Sequence, residues 1–247
     1  MKLLLRRGLA MKIKAIIFDM DDTLYDEKDY VQSGLTVLDN WVKFKFKVNG
    51  FYETAMTLFE AGERESLFNK TFELLKIRAD KKTMNEMLNR YRAHIPQIKL
   101  FDDMNWVLSN LAKEIKVGLL SDGHIEQQAN KVRALRIRGR FHSIILSDRF
   151  GRQHWKPSSV PYEHMCMALE VSHYDCLYIG SNVSKDFITA KRLGWKTVHI
   201  DRGNNNLPHA IEDKEYAAHY KINNLQKLSH ISEFKHLFIK KAEFVYS

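Results

Sequence analysis

Three carboxylates, Asp19, Asp21 and Asp22, follow directly on the apolar run Ala15-Ile16-Ile17-Phe18, and Thr23 stands two residues after Asp21. The run is short enough to be one buried strand, and open α/β sheets gather their ligands in the crevice beyond the strand C-termini. Asp19 and Asp21 therefore fall where chemistry is expected. Two carboxylates at this spacing can divide the work, one as nucleophile and the other moving the proton of a leaving group. Carboxylates after a strand also cap helices and close turns, a role that Asp22-Thr23 alone would suit.

Three later segments bear on that choice. Gly118-Leu119-Leu120 runs into Ser121-Asp122-Gly123, where a hydroxyl and two backbone amides open a helix. Helix N-terminal N–H groups lack intrahelical acceptors, so such a start binds anions; a plain N-cap is the alternative. The Asp122 carboxylate would repel a phosphate unless turned away or offset by a cation. Trp155-Lys156-Pro157 precedes a helix entered through Pro161, and the proline biases Lys156 toward an extended backbone able to project its ammonium. Finally, Tyr178-Ile179-Gly180 leads through Ser181-Asn182-Val183-Ser184-Lys185 to Asp186 and a further helix.

The elements that must position these residues follow from periodicity. Val31, Leu35, Leu38 and Val42 have helical spacing, and the pattern stays helical to about Ala93, with Gly50 expected to end the first helix. This block of roughly 70 residues contains no strand-like alternation. From Phe101 short apolar runs alternate with amphipathic segments, as in a parallel sheet with helical crossovers. Strands are expected at Val117–Leu120, Ser143–Leu146, Cys176–Ile179, Thr197–Ile200 and His219–Ile222.

In this order and at these separations, the four segments resemble the four motifs of the haloacid dehalogenase-like (HAD) hydrolase superfamily. These are a DxDxT stretch after a strand, a Ser before Gly, a Lys-Pro before a helix, and a strand-GDxxxxD-helix segment. Here Ser181 occupies the first acidic position of the last motif, and Asp186 keeps the second. The resemblance implies an α/β fold: a Rossmann-like, doubly wound parallel sheet core over 12–25 and 96–230. An α-helical cap is expected over 26–95, with terminal extensions over 1–11 and 231–247.

It also implies roles. Asp19 would be the nucleophile, Asp21 the acid/base and Lys156 the charge that steadies both Asp19 and the phosphoryl oxygens. Ser121, Asp122, Gly123 and Lys156 would bind phosphate. Mg²⁺ would be held by Asp19, Asp21 through its carbonyl, and Asp186, with Ser181 and Asn182 as support. The expected activity is a Mg²⁺-dependent phosphatase acting on a small phosphorylated metabolite, a sugar phosphate or nucleotide, through an aspartyl-phosphate. Dehalogenation is disfavoured, because it does not require a second acid such as Asp21. The alternative is a catalytically weakened HAD scaffold that binds a phosphorylated ligand or a protein partner, since Ser181 removes one carboxylate from the metal site.

Composition limits the remaining options. The chain has 247 residues, is 45% hydrophobic and contains 14 Phe, which argues against disorder. No run approaches the ~18 apolar residues of a membrane helix, and Met1–Arg7 is too brief for a signal-peptide core; a cytoplasmic location is expected. Cys166 and Cys176 lack metal-site or redox-motif spacing and read as small buried hydrophobes. The histidines are scattered and none is assigned to metal. The net charge of +9 raises nucleic-acid processing or binding as a third reading, but there is no long basic block, and solvated helix faces account for the charge. No feature sets an oligomeric state.

Overall fold

The computed structural model describes residues 12–203 and 213–239. The extension expected over 1–11, the loop residues Asn204–Asn206 and the end of the expected C-terminal extension, 240–247, lie outside the described residues. In chain order the elements are β1 (Ala15–Phe18), α1 (Glu27–Phe46), α2 (Phe51–Glu60), α3 (Leu67–Leu74), α4 (Lys81–Ala93), α5 (Asp102–Asn110), β2 (Lys116–Ser121), α6 (Ile125–Ala134), β3 (Ser143–Leu146), α7 (Val160–Leu169), β4 (Cys176–Gly180), α8 (Ile188–Arg192), β5 (Lys196–Ile200) and β6 (Tyr220–Ile222).

Every residue of β1 is buried, as a strand covered on both faces must be. The six strands form one parallel sheet in the order β3-β2-β1-β4-β5-β6. After β3 the chain crosses back past β1 to β4, and this reversal makes the C-terminal ends of β1 and β4 a topological switch point. Phe18 is in register with Leu119 on one side and Ile179 on the other, so the residues that follow β1 and β4 emerge together.

The chain divides into two compact units. The first comprises, among the described residues, 12–24, 101–121 and 139–239 and contains the whole sheet. In its core, Tyr162, Met165 and Leu169 of α7 pack with Ile17, Leu120 and Trp195. A Cβ at Gly118 would lie 2.7 Å from Met165 Sδ, so the approach of α7 to β2 depends on that glycine. Residues from 231 onward, expected as a tail, pack into this unit as far as 239. Phe234 and Leu237 are fully buried, Leu237 O accepts from Ala112 N at 2.8 Å, and Leu111 pairs antiparallel with Phe238.

The second unit, Tyr25–Leu100 and Asp122–Arg138, is helical and has a core of its own, including Leu35, Leu38, Phe51, Phe59, Phe72 and Met87. The Asp26 side chain caps α1 by accepting from Lys28 N at 2.9 Å. That helix ends earlier than Gly50: Lys47 takes the left-handed C-cap conformation, φ 59°, and its N–H donates to Lys43 O. Gly50 instead starts α2, at φ 86°. The helix α6, expected as part of the sheet core, groups with this unit: Asn130 Nδ2 donates to Ala93 O at 3.0 Å, and the buried Lys131 ammonium lies 4.3 Å from the Tyr30 ring centre.

Candidate active site

The end of β1 sets the position of Asp19. Its N–H donates to Ile179 O at 2.9 Å, extending the pairing with β4 by one residue before the chain turns away. The turn closes through Leu24 N to Met20 O, 2.9 Å, with Asp22 in a left-handed conformation at φ 54°, which Asp tolerates better than most residues. Asp19 is buried at the switch point and Asp21 is partly exposed.

Lys156 joins the distant pieces. Its fully buried ammonium donates to Asp19 Oδ1 at 2.6 Å and to Asp186 Oδ1 at 2.7 Å, and lies 2.9 Å from the Tyr178 hydroxyl. The loop that carries Lys156 is pinned by the Pro157 carbonyl, which accepts from Thr189 Oγ1. Asp186 in turn holds its own loop, accepting from Asn182 N on Oδ2 at 2.9 Å, while its carbonyl accepts from the Tyr162 hydroxyl. A Cβ at Gly180 would lie 2.4 Å from Asp186 Oδ2, so only glycine lets this carboxylate fold back against the end of β4.

Burial dominates the electrostatics. It pushes the Asp19 carboxyl up from 3.8 to about 7, with Asp186 and Asp21 adding to the rise, while Lys156 and then Lys185 oppose it. Burial also pushes the Tyr178 hydroxyl well above its ordinary range, keeping it a neutral partner for Lys156 and Asp186.

The remaining expected residues are placed as follows. Ser181 is buried and its Oγ donates to Asp21 O at 3.0 Å, so the residue in the acid's position is bonded to the carbonyl expected to face a metal. Ser121 ends β2, buried, and its carbonyl accepts from Ser147 Oγ at 3.2 Å. Asp122 and Gly123 belong to the helical unit, where Asp122 O accepts from Gln128 Nε2 at 2.6 Å and Gly123 sits at φ 126°. Direct hydrogen bonds thus unite Asp19, Lys156, Asp186 and Asn182 in one network, and Ser181 and Asp21 in a second contact.

Two features escaped the sequence reading. Tyr178 reads as an apolar strand residue, yet its hydroxyl completes the Lys156 network. Arg202, after β5, grips Asp103 through both carboxylate oxygens, at 2.8 and 3.1 Å, and donates to Thr23 O at 2.9 Å while lying 3.8 Å from the Phe101 ring centre. Asp103 also accepts from Leu225 N at 2.8 Å. The clamp anchors the end of the turn that carries Asp21. Its only sequence signal is a buried-type helix position filled by an acid.

The donor chemistry bears on a metal. Among the described residues no three His, Cys, Asp or Glu side chains form a ready metal site. Nevertheless Asp19 keeps a raised pKa with an ammonium 2.6 Å away, because burial, with Asp186 and Asp21 adding to it, outweighs Lys156. Asp19, the Asp21 carbonyl, Asp186 and the Ser181 hydroxyl supply only oxygen, a set that fits a hard divalent cation retaining several waters.

A profile of the haloacid dehalogenase-like hydrolases matches residues 16–200, and the chain belongs to that family. Glyceraldehyde 3-phosphate phosphatase of Methanocaldococcus jannaschii is 28% identical over 227 residues, 87% of this chain and 95% of that protein. N-acylneuraminate-9-phosphatase of Mus musculus is 24% identical over 217 residues, 79% of this chain and 85% of that protein. Among solved structures, a HAD-hydrolase from Bacillus subtilis bound to magnesium superposes with a TM-score of 0.63 at 20% identity, over 89% of this chain and 98% of that one. These neighbours share the Rossmann-like α/β architecture expected from the sequence.

Proposed function

We propose that the protein is a Mg²⁺-dependent phosphatase of a small phosphorylated metabolite, with Asp19 as nucleophile. The observation that carries this reading is the buried Asp19 carboxylate at the end of β1, held at 2.6 Å by a lysine that a second buried carboxylate, Asp186, fixes in place. The phosphatase names of the relatives favour a sugar phosphate over a nucleotide.

An Asp19 oxygen attacks phosphorus, and the bond from phosphorus to the ester oxygen breaks. Asp21, protonated, gives its proton to the departing oxygen; ionised, it then takes a proton from the water that attacks the aspartyl-phosphate, releasing phosphate and restoring Asp19. Lys156 and Ser121 hold phosphoryl oxygens, with the Asp122 and Gly123 amides as further donors. Mg²⁺, held by Asp19, the Asp21 carbonyl and Asp186 with Ser181 and Asn182 as support, would supply charge neutralisation and orientation of the phosphate.

Turnover of p-nitrophenyl phosphate and a panel of sugar phosphates and nucleotides in Mg²⁺ tests this. Asp19→Asn is expected to reduce turnover by roughly a thousandfold or more; persistent turnover would remove Asp19 as nucleophile.

The hydrogen bond from Ser181 to the Asp21 carbonyl favours one second reading, a weakened scaffold that binds a phosphorylated ligand without efficient hydrolysis. High wild-type turnover at millimolar Mg²⁺ disposes of it.

A further inference from the structure

The two cysteines, ten residues apart in sequence, meet in the first unit. Cys166 lies in the last turn of α7 and Cys176 opens β4; their sulfurs are 3.7 Å apart, and both thiols are free. This exceeds the ~2.05 Å of a disulfide, so the thiols are unbonded, and oxidation must draw the sulfurs together by about 1.7 Å. The two thiols differ in setting. Cys166 is 7% exposed and lines a surface pocket of 460 Å³ with Met167, Ser172, His173 and Tyr174, whereas Cys176 is 0% exposed and its one S–H has two acceptors in reach, Ser172 O at 3.4 Å and Cys166 Sγ at 3.7 Å.

His173 stands between Cys166 and Trp195. Trp195 Nε1 donates to His173 Nδ1 at 2.8 Å, which makes that nitrogen an acceptor and leaves the ring proton on Nε2. Cys166 Sγ lies 3.3 Å from the same Nδ1, whose one lone pair the Trp195 N–H already occupies, so His173 packs against the sulfur without taking its proton. The neighbouring thiol of Cys176, hydrogen-bonding to Cys166, lowers the Cys166 pKa and raises its own, the latter also through burial. The Asp175 carboxylate opposes a thiolate at either position, but it is paired with Lys14 at 2.9 Å.

We propose that Cys166 and Cys176 form an oxidation site in which Cys166 reacts with a peroxide at the pocket and Cys176 resolves the product to an intramolecular disulfide. In the first step the Cys166 sulfur attacks one peroxide oxygen, the O–O bond breaks, an S–O bond forms, and the other oxygen leaves as water with the thiol's proton. In the second, the Cys176 sulfur attacks the Cys166 sulfenic acid, an S–S bond forms, the S–O bond breaks, and a second water carries off the Cys176 proton. Two thiols lose two electrons and one hydrogen peroxide gains them.

The full-length protein is treated with hydrogen peroxide, alkylated under denaturing conditions, cleaved after Glu170 so that the two cysteines fall on separate peptides, and mapped by mass spectrometry without reduction. The expected result is loss of both alkylatable thiols and an intramolecular link between the peptides of Cys166 and Cys176, about 2 Da below their summed reduced mass. This readout is separate from sulfoxide formation at the exposed Met167, which adds oxygen. In Cys176→Ser, dimedone should trap sulfenic acid at Cys166 faster than it labels Cys176 in Cys166→Ser. Two thiols that still alkylate after peroxide treatment, or links only between separate molecules, overturn the proposal, as does equal or faster labelling of Cys176. The wild-type mass measurement decides it even where a variant does not fold.

Discussion

At the scale of single residues, Ser181 separates this chain from a fully acidic metal site. A hydroxyl contributes no charge, and here it donates to the Asp21 carbonyl, occupying a lone pair on an atom proposed to face Mg²⁺. Ser181→Asp replaces that donor with a carboxylate beside Asp19 and Asp186, whose negative charge already raises the Asp19 pKa. Without a cation the added charge is unfavourable; with Mg²⁺ it becomes a ligand. Ser181→Asp is therefore expected to lower the Mg²⁺ concentration for half-maximal turnover by about tenfold, equivalent to ~1.4 kcal/mol, and to lower Tm in EDTA. Titrations of turnover and of Tm against Mg²⁺ check both; an unchanged or weaker Mg²⁺ requirement counts against a metal at this position.

At the scale of elements, α1 and α4 are clamped through one carboxylate. Glu86 on α4 accepts from Trp41 Nε1 at 3.0 Å and Lys45 Nζ at 2.5 Å on α1, and from Arg90 Nη2 at 3.0 Å one turn further along. Lys45, then Arg90 and Trp41, hold its carboxyl down from 4.5 to about 2. A carboxyl depressed in the folded state stabilises above its unfolded value, and that contribution disappears as pH falls from 4.5 through about 2. Because the pair is exposed and screened, Glu86→Gln should lower Tm by only roughly 1–2 °C near neutral pH. The gap between variant and wild type should close across this acid window in melting curves; a gap that stays constant with pH would assign the effect to something other than charge.

The same elements show what a sequence can and cannot disclose. The central strands are readable because a parallel sheet covered on both faces demands continuous apolar runs, and β1 and β4 are such runs, each bounded by polar residues, whereas β5 places Thr197 and His199 among its apolar residues. Asp19 is readable because it closes such a run, and Lys156 and Asp186 because, in order after it, they resemble later motifs of the family. Periodicity says which face of a helix is apolar but not which neighbour covers it, so α6 gave no sign of its bond from Asn130 to Ala93 in the helical unit. Tyr178, Arg202 and the cysteine pair were opaque for a related reason. A tyrosine in a strand, an arginine after one and two cysteines ten apart acquire their partners only when sequence-distant segments are brought together.

For the molecule as a whole, charge matters more than any single ion pair. The chain carries 39 Lys and Arg against 30 Asp and Glu, a net +9, while its proposed substrate is an anion. A net positive field concentrates phosphorylated ligands near the surface and raises their productive encounters, an effect that salt screens as the Debye length shrinks from ~30 Å at about 0.01 M to ~8 Å at about 0.15 M. For a sugar phosphate at saturating Mg²⁺, kcat/KM is accordingly expected to fall several-fold over this range while kcat changes little, because the field acts on free enzyme and substrate. Steady-state kinetics in a salt series check this, and a flat kcat/KM would mean that the positive charge is spread over faces the substrate never senses. The same series run with an oligonucleotide separates the two uses of charge. A nucleic-acid binder loses affinity linearly in log–log form, with a slope that counts neutralised phosphates, whereas absence of binding even at low salt leaves the +9 as a field for small anions.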